Sequence, residues 1–347
     1  MKKICFFGIY NPEYSRNRVL ISGFKQNGFD VFECKVDPKS GKIKKYIALL
    51  EEYKKIKDIK FDYIIVAFPG HSVVWLAYLL FGKDIIFDAF VSLYDSNVWD
   101  RKLYKPFSPR GFRDWFLDWY SCMFAEKILL DTNRHIDYFS KNFKIDKDKF
   151  IRVFVGSDNS IFYPKDSERK DKNFVVHFHG SFIPLQGVEY IIESAKILEK
   201  EKDIQFNIIG TNIKKKYLGK KFDNINFIEN ISYEKLSEYM NKADLCLGIF
   251  GNTEKADNVI PNKVYEAIAI RKPIITADTL AIKELFEDNE SIILCNRDDG
   301  RDLAQKIIKI KKDDFLREKI SNNAFDIFNK RLTPKILVRD LLNDLKK

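Results

Sequence analysis

The sequence predicts an α/β protein made of two Rossmann-like, doubly wound parallel-sheet domains in succession. Short, β-rich apolar runs alternate with longer amphipathic segments, the signature of strands joined by crossover helices. The runs also fall into two sets, and a polar stretch with no apolar period separates them. The first set is Lys3–Phe7, Val31–Lys35, Tyr63–Ala67, Ile85–Asp88, Lys127–Leu130 and Ile151–Val155. The second is Phe174–Phe178, Gln205–Ile209, Ile225–Ile228, Leu245–Ile249, Pro273–Thr276 and Ser291–Leu294. The polar stretch, Pro164 to Lys172, reads as an exposed linker and puts the boundary near residue 168, giving domains over 1–167 and 168–347. Two amphipathic helical stretches, Ile320–Lys330 and Pro334–Lys346, close the chain, and the last is a candidate to cross back to the first domain. Open parallel sheets bind ligands beyond the carboxyl ends of their strands. Function is therefore expected in strand-to-helix loops, along a cleft between the facing domains.

Composition agrees with this class. A chain of 347 residues exceeds one ordinary domain, so two is the leading count and one large α/β unit the alternative. With 45% hydrophobic and 32% charged residues, and only 15 Gly and 10 Pro, collagen-like and low-complexity chains are excluded. The net charge of +10 favours anionic partners but is dispersed along the chain and names none. Five cysteines, Cys5, Cys34, Cys122, Cys246 and Cys295, form no C-x-x-C pair and suggest a reducing cytosol. The start, Met1-Lys2-Lys3 before Ile4 to Gly8, reads as a first strand rather than a signal peptide, because the apolar run stops at once. The longest apolar stretch, Val73 to Gly82, is about half the ~20 residues a membrane-spanning helix needs. Peripheral membrane contact stays open.

Two loops of the second half carry the strongest chemistry. Ile260-Pro261-Asn262-Lys263-Val264-Tyr265-Glu266 reads as a loop entering a helix, with Glu266 about one turn in. Unpaired amides and the positive dipole end suit a diphosphate there, and a carboxylate one turn deeper suits a ribose diol. The competing reading is a first-turn Glu that only favours the helix dipole. The other loop, His179-Gly180-Ser181-Phe182-Ile183-Pro184-Leu185-Gln186-Gly187, follows a strand and opens a helix. Gly180 and Gly187 let backbone approach a ligand closely, although two glycines around a turn are also ordinary turn chemistry.

Five further groups stand out. Asp88 ends a strand and is the candidate to take an acceptor hydroxyl's proton, with Asp95 and Asp100 behind it; the competing view is that Asp88 orders its loop. His71, in Pro69-Gly70-His71-Ser72, is a candidate to touch acceptor or sugar, or an ordinary hydrogen-bonding loop residue. His177 and His179 alternate on one strand and share a face, a spacing compatible with a metal, but no third ligand is evident and none is expected. Asp146-x-Asp148 has the form of a metal-sugar motif in a solvated, lysine-rich setting. Last, residues 101–120 interleave Arg101, Lys102, Lys105, Arg110 and Arg113 with Trp115, Phe116 and Trp119, which suits a lipid headgroup interface. The alternative packs those rings inside the domain.

Gly180 to Gly187, then Ile208-Ile209-Gly210, Ala243-Asp244-Leu245 and Pro261 to Pro273 look like the successive carboxyl-terminal-domain motifs of glycosyltransferase family 4, which the chain resembles. Ile275 to Asp278, Glu284-Leu285 and Leu303–Ile310 keep its order, as do Gly8 after the first strand and Val155-Gly156 near the boundary. The resemblance implies a GT-B fold and a nucleotide-diphosphate sugar donor, a UDP- or GDP-sugar, held by 168–347. It also implies an acceptor on 1–167, retaining transfer, and no required cofactor or metal.

The family's second motif glutamate, which contacts ribose, falls on Glu266, and its first falls on Asn258. The donor-phosphate Arg and Lys of the family fall on Ser181 and Gln186, both uncharged. Negative charge still grows on the leaving diphosphate in the transition state. Lys255 and Lys263, flanking Val259-Ile260-Pro261, are the candidate substitutes, and Arg16 or Arg18 is a candidate to reach across the cleft. The implied donor site is thus Gly8, Gly180, Ser181, Gln186, Gly187, Gly210, Lys255, Asn258, Val259, Ile260, Lys263 and Glu266, with Asp88 and Glu266 as catalytic candidates.

The expected function is transfer of a sugar to a glycan or lipid-linked acceptor in surface polysaccharide or glycoconjugate biosynthesis, in the cytoplasm or at the inner membrane face. A nucleotide-sugar epimerase or phosphorylase shares such architecture, since fold does not fix reaction. A basic nucleic-acid binder is the alternative of another class, but no recognised motif supports it and no nucleic-acid partner is expected. A dinucleotide dehydrogenase needs G-x-G-x-x-G, which Gly8-Ile9-Tyr10-Asn11-Pro12 is not.

Overall fold

A computed structural model describes residues 1–39, 41, 44–166 and 172–346. The chain divides into two compact units, Met1–Asp158 with Leu332–Lys347, and Asn159–Arg331. Residues 167–171, where the sequence suggests the boundary, lie outside the described residues.

The first unit holds β1 (Lys3–Ile9), β2 (Asp30–Val36), β3 (Tyr63–Val66), β4 (Ile85–Asp88), β5 (Lys127–Leu130) and β6 (Phe150–Arg152), all parallel, in the order β2-β1-β3-β4-β5-β6. Strands covered by helices on both sides should be apolar at every position rather than at alternate ones. The two faces of β1 show why: Cys5 and Phe7 join one core with Val66, Phe87, Ile128 and Leu130, while Ile4 and Phe6 join the other with Ile65, Ile86 and Leu129. The second core also takes Leu20 and Phe24 of helix Ser15–Gln26 and Val338 and Leu341 of helix Pro334–Asp344. The end of the chain thus completes the first unit, and Asn27 Nδ2 donates to the Lys335 carbonyl at 2.9 Å.

The second unit holds β7 (Phe174–His179), β8 (Ile204–Ile209), β9 (Ile225–Ile228), β10 (Leu245–Leu247), β11 (Ile274–Ala277) and β12 (Ile293–Cys295), again parallel, in the order β12-β11-β10-β7-β8-β9. Its main core stacks Val176, Phe178, Phe206, Ile208, Leu247 and Ile275 against Val188, Ile191, Leu303 and Ile307. The strand order reverses between β7 and β10. That switch point opens a crevice beyond their carboxyl ends, where the residues after each strand diverge to opposite faces. All five cysteines are buried free thiols, and no helix among the described residues is long and apolar enough to cross a membrane.

One buried ion pair ties together the carboxyl edge of the first sheet. Arg16 and Asp88 are both fully buried. Arg16 Nη2 donates to Asp88 Oδ1 at 2.8 Å, Nε lies 3.1 Å from both carboxylate oxygens, and Nη1 donates to the Val153 carbonyl at 2.6 Å. The start of helix Ser15–Gln26, the end of β4 and the chain after β6 meet at this one guanidinium. Removing one partner of such a pair strands a buried charge, so Arg16→Met should destabilise the fold by about 3–5 kcal/mol in urea unfolding. Adding Asp88→Leu should recover most of that loss, because the stranded carboxylate is gone.

Candidate functional site

The β7/β10 switch point is lined by the loop Gly180–Gly187 after β7 and by Gly248–Gly251 after β10. The two loops are stitched together by backbone: Phe250 N–H donates to the Gln186 carbonyl at 3.1 Å and Gly251 N–H to the Leu185 carbonyl at 3.2 Å. Gly187 sits at φ +59°, and a Cβ there would lie 2.5 Å from Gly251 N, so both conformation and space demand glycine. At Gly180 a Cβ would come within 1.9 Å of Gln186 Oε1. The Gln186 carboxamide therefore lies directly on the Gly180 backbone.

Into this loop pair points helix Asn262–Ala269, whose start at Pro261 has no side-chain cap. Its second residue, Lys263, is buried; its Nζ donates to Gln186 Oε1 at 2.9 Å and sits 4.5 Å from the centre of the Phe178 ring. Burial pulls the Lys263 ammonium down to about 7, with Glu266 opposing the shift. One turn further, Glu266 is 2% exposed, and its Oε2 lies 2.9 Å from His179 Nε2. A carboxylate only accepts, so the proton in this bond is on the imidazole. His179 Nδ1 is in turn 3.0 Å from His177 Nε2. Burial first, then the nearby His179 and Lys263, holds the ring of His177 well below the usual histidine range, so it is neutral. The result is a line, His177 to His179 to Glu266, that fixes one carboxylate oxygen and leaves Oε1 with no hydrogen bond among the described residues.

The other expected donor-site residues fall around this line. Lys255 and Asn258 are buried on the short helix Glu254–Asn258, and Val259 and Ile260 are buried in the turn that leads to Pro261. Arg297 anchors that helix: its Nη1 donates to Asp257 Oδ2 at 2.8 Å, its Nη2 also bonds Asp257, and its Nε donates to the Asp278 carbonyl at 3.1 Å. Ser181 is exposed at the loop's outer edge. Gly210 ends β8 against Gly180, where an added Cβ would meet the Gly180 carbonyl at 2.3 Å. The shared strand face of His177 and His179 was readable from spacing. The hydrogen bond from His179 to Glu266, 87 residues away, was not, and His179 is the site residue that sequence reasoning missed. Among the described residues no group of three or more His, Cys, Asp or Glu is placed to hold a metal ion.

In the first unit several expectations are corrected. Gly8 lies inside β1, paired with Lys35, not after the strand. Asp88 is sealed by Arg16 and does not reach solvent, so it orders its loop rather than accepting a hydroxyl proton. The same bond removes Arg16 as a mobile phosphate contact. Asp95 and Asp100 are buried at the two ends of a π-helical turn. His71 is buried, edge-on to Phe87 at 5.0 Å and 3.3 Å from Asp118 Oδ1, and burial drops its imidazolium to about 3. Asp118 accepts from Ser92 Oγ at 2.6 Å and from the Leu93 and Tyr94 amides, while burial pushes its carboxyl up to about 7. These groups pin the loop after β4. Asp146, by contrast, caps the 3₁₀ turn Lys147–Lys149 in a solvent-exposed loop.

Comparison with known proteins bears on both units. Residues 159–326 match the family described as glycosyl transferases group 1. An uncharacterized glycosyltransferase of Methanocaldococcus jannaschii is 24% identical over 193 residues, 53% of this chain and 50% of that protein. The capsular polysaccharide biosynthesis glycosyltransferase CapM of Staphylococcus aureus is 22% identical over 192 residues, 53% and 49% of the two chains. The match spans about half the length of these curated relatives. The crystal structure of Anabaena HepE in complex with UDP-glucose aligns over 100% of both chains with a TM-score of 0.74 at 14% identity. The fold is GT-B.

Two measurements test this geometry. Lys263 carries a proton-binding constant below that of the unfolded chain, so its contribution to stability is complete above pH ~10.5 and is lost as pH falls toward 7. The stability advantage of Lys263→Met over the parent should therefore be largest at or below pH 7 and shrink steadily toward pH 10 in urea titrations. His179→Ala strips the buried Glu266 oxygen of its donor and should cost about 1–3 kcal/mol, partly restored by His179→Gln.

Proposed function

From the match of residues 159–326 to the glycosyl transferases group 1 family, we propose that the protein transfers a sugar from a nucleoside diphosphate donor to a glycan or lipid-linked acceptor. The observation that carries this reading is the placement of Glu266. It stands one turn into an uncapped helix at the switch point of the second sheet, with Oε2 held by His179 and Oε1 unclaimed. Such a carboxylate is oriented to accept a hydrogen bond from a ribose hydroxyl. The free amides at the start of the same helix and the Lys263 ammonium offer positive charge to the diphosphate one turn before it.

The chemistry asks for that charge. As the bond between the anomeric carbon and the diphosphate oxygen breaks, the electron pair stays on the diphosphate, and a preorganised cation in a dry site lowers the barrier most where this charge develops. Ser181 and Gln186 bring no charge to the loop, but Gln186 Oε1 receives the Lys263 ammonium, so the cation reaches the loop from the neighbouring helix. Lys255, buried nearby, is the second cation assigned to the donor. Asn258, Val259 and Ile260 line the approach to the base, and Gly180, Gly187 and Gly210 keep the loop backbone open to the phosphates. UDP or GDP serves as the carrier, transfer is retaining, and the acceptor belongs to the first unit. The relative in capsule biosynthesis and the neighbour with bound UDP-glucose support a role in surface polysaccharide synthesis.

The direct test is binding. In a thermal-shift panel of UDP, GDP, ADP and their glucose conjugates, a uridine or guanosine diphosphate sugar should raise the melting temperature, since a ligand at a hundred times its Kd stabilises by about 2.7 kcal/mol. Glu266→Gln should weaken that ligand by roughly ten- to a hundredfold, the worth of a hydrogen bond to a charged group. Its affinity should also fall as pH rises above 7, where Lys263 loses its proton, and Lys263→Met should abolish that dependence. No shift with any nucleotide, or one produced only by a nicotinamide dinucleotide, contradicts the assignment.

A further inference from the structure

Helix Pro109–Phe124 of the first unit turns two acids inward and part of its apolar surface outward. Its buried positions include Asp114, Asp118 and Ser121, while Phe112, Phe116 and Met123 are exposed along one stripe at spacings of four and seven. The inward acids are satisfied: Asp118 by the loop after β4, and Asp114 by Asn97 Nδ2 at 2.7 Å. Tyr120 and Cys122 are buried beside these acids and Trp115 and Trp119 lie half-buried against the core, so polar and apolar contacts together hold the helix to its unit while Phe112, Phe116 and Met123 are left to the outside. The stripe is stiffened by rings, with Trp115 stacked on Trp119 at 6.2 Å and Phe116 5.8 Å from Trp119.

The apolar surface extends beyond this helix. Helix Val74–Phe81, which contains no charged residue, packs beside it through Tyr78 and Phe124, 5.0 Å apart, and leaves Trp75 and Leu79 exposed. Trp99, Leu103 and Phe107 are exposed on the approach to the helix, Phe107 completely. Isolated surface apolar residues need no explanation, but a contiguous set marks an interaction site. Charge says with what. From Trp99 to Phe124 every exposed charged residue is Arg101, Lys102, Lys105, Arg110 or Arg113, and every acid in the stretch, Asp100, Asp114 and Asp118, is buried.

We infer that this face docks the protein onto a bilayer carrying anionic phospholipids. The aromatic stripe lies at the boundary between headgroups and acyl chains, and Arg101, Lys102, Lys105 and Arg110 lie against lipid phosphate, Arg113 being paired with Asp114. From Trp99 to Phe124 the exposed charges are all of one sign around a band of Phe and Trp, which a protein partner of ordinary composition would not demand, whereas the headgroup region demands both. The surface is independent of the donor site, so its test requires no turnover.

The test is co-sedimentation of the full chain with vesicles of phosphatidylcholine, with and without phosphatidylglycerol. The protein should pellet with the phosphatidylglycerol vesicles, more weakly as salt is raised, and far less with phosphatidylcholine alone. The triple change Phe107→Ser, Phe112→Ser, Phe116→Ser removes only exposed side chains; it should keep the parent melting temperature and bind at least roughly tenfold more weakly. Arg101→Gln with Lys102→Gln and Lys105→Gln should lose roughly a hundredfold toward phosphatidylglycerol vesicles, at about 1 kcal/mol per cation near the surface. Equal pelleting of parent and phenylalanine variant overturns the inference, as does no pelleting with either vesicle. A concentration-dependent dimer in sedimentation velocity that the same variant abolishes overturns it in favour of a second copy of this chain.

Discussion

Two titratable side chains taken out of water within one turn of helix, Lys263 and Glu266, and the half-buried His179 at the end of β7 are the constraint on which the second unit's site depends. Each would be costly alone, and burial penalises every unpaired charge by several kcal/mol. They persist because each is given one fixed partner: Lys263 has Gln186, Glu266 has His179, and His179 has His177. What is left over is an amide-rich helix start and one carboxylate oxygen with no hydrogen bond among the described residues, and the proposed donor, a nucleoside diphosphate, brings negative charge for the first and hydroxyl groups for the second.

The first unit handles buried charge in the opposite way. At the corresponding carboxyl edge of its sheet, Arg16 and Asp88 satisfy each other, and the spare guanidinium N–H goes to backbone carbonyls, leaving nothing for a ligand. Asp118 likewise spends its oxygens on the loop after β4. The same parallel architecture therefore carries a closed charge network that shapes loops in one unit and an open one suited to chemistry in the other. Fold alone does not distinguish the two; the residual hydrogen-bonding capacity does.

The architecture was legible because buried parallel strands write themselves as apolar runs, and every run identified in the sequence became a strand. The ends differ for local reasons. The run expected to continue to Val155 stops at Arg152, because the Val153 and Phe154 carbonyls turn to Arg16 instead of a neighbouring strand. The run expected to reach Ile249 stops at Leu247, where Ile249 exchanges hydrogen bonds with the Thr276 hydroxyl. Pairings between distant loops were not legible. Nothing near Asp88 announces Arg16, 72 residues earlier, and a lone carboxylate at a strand end reads equally as base or ion-pair partner. The interleaving of cations and rings over 101–120 was visible too, but not which rings face out: Trp115 and Trp119 lie half-buried on the core beside Asp114 and Asp118, while Phe112 and Phe116 are exposed.

The most direct measurement of the central claim is a crystal structure of the chain with a bound uridine diphosphate sugar. The account predicts a ribose hydroxyl within hydrogen-bond distance of Glu266 Oε1, a phosphate oxygen against Lys263 Nζ, and the His179 bond to Oε2 intact. A nucleotide seated away from the β7/β10 switch point, or bound there with no contact to Glu266, would contradict it.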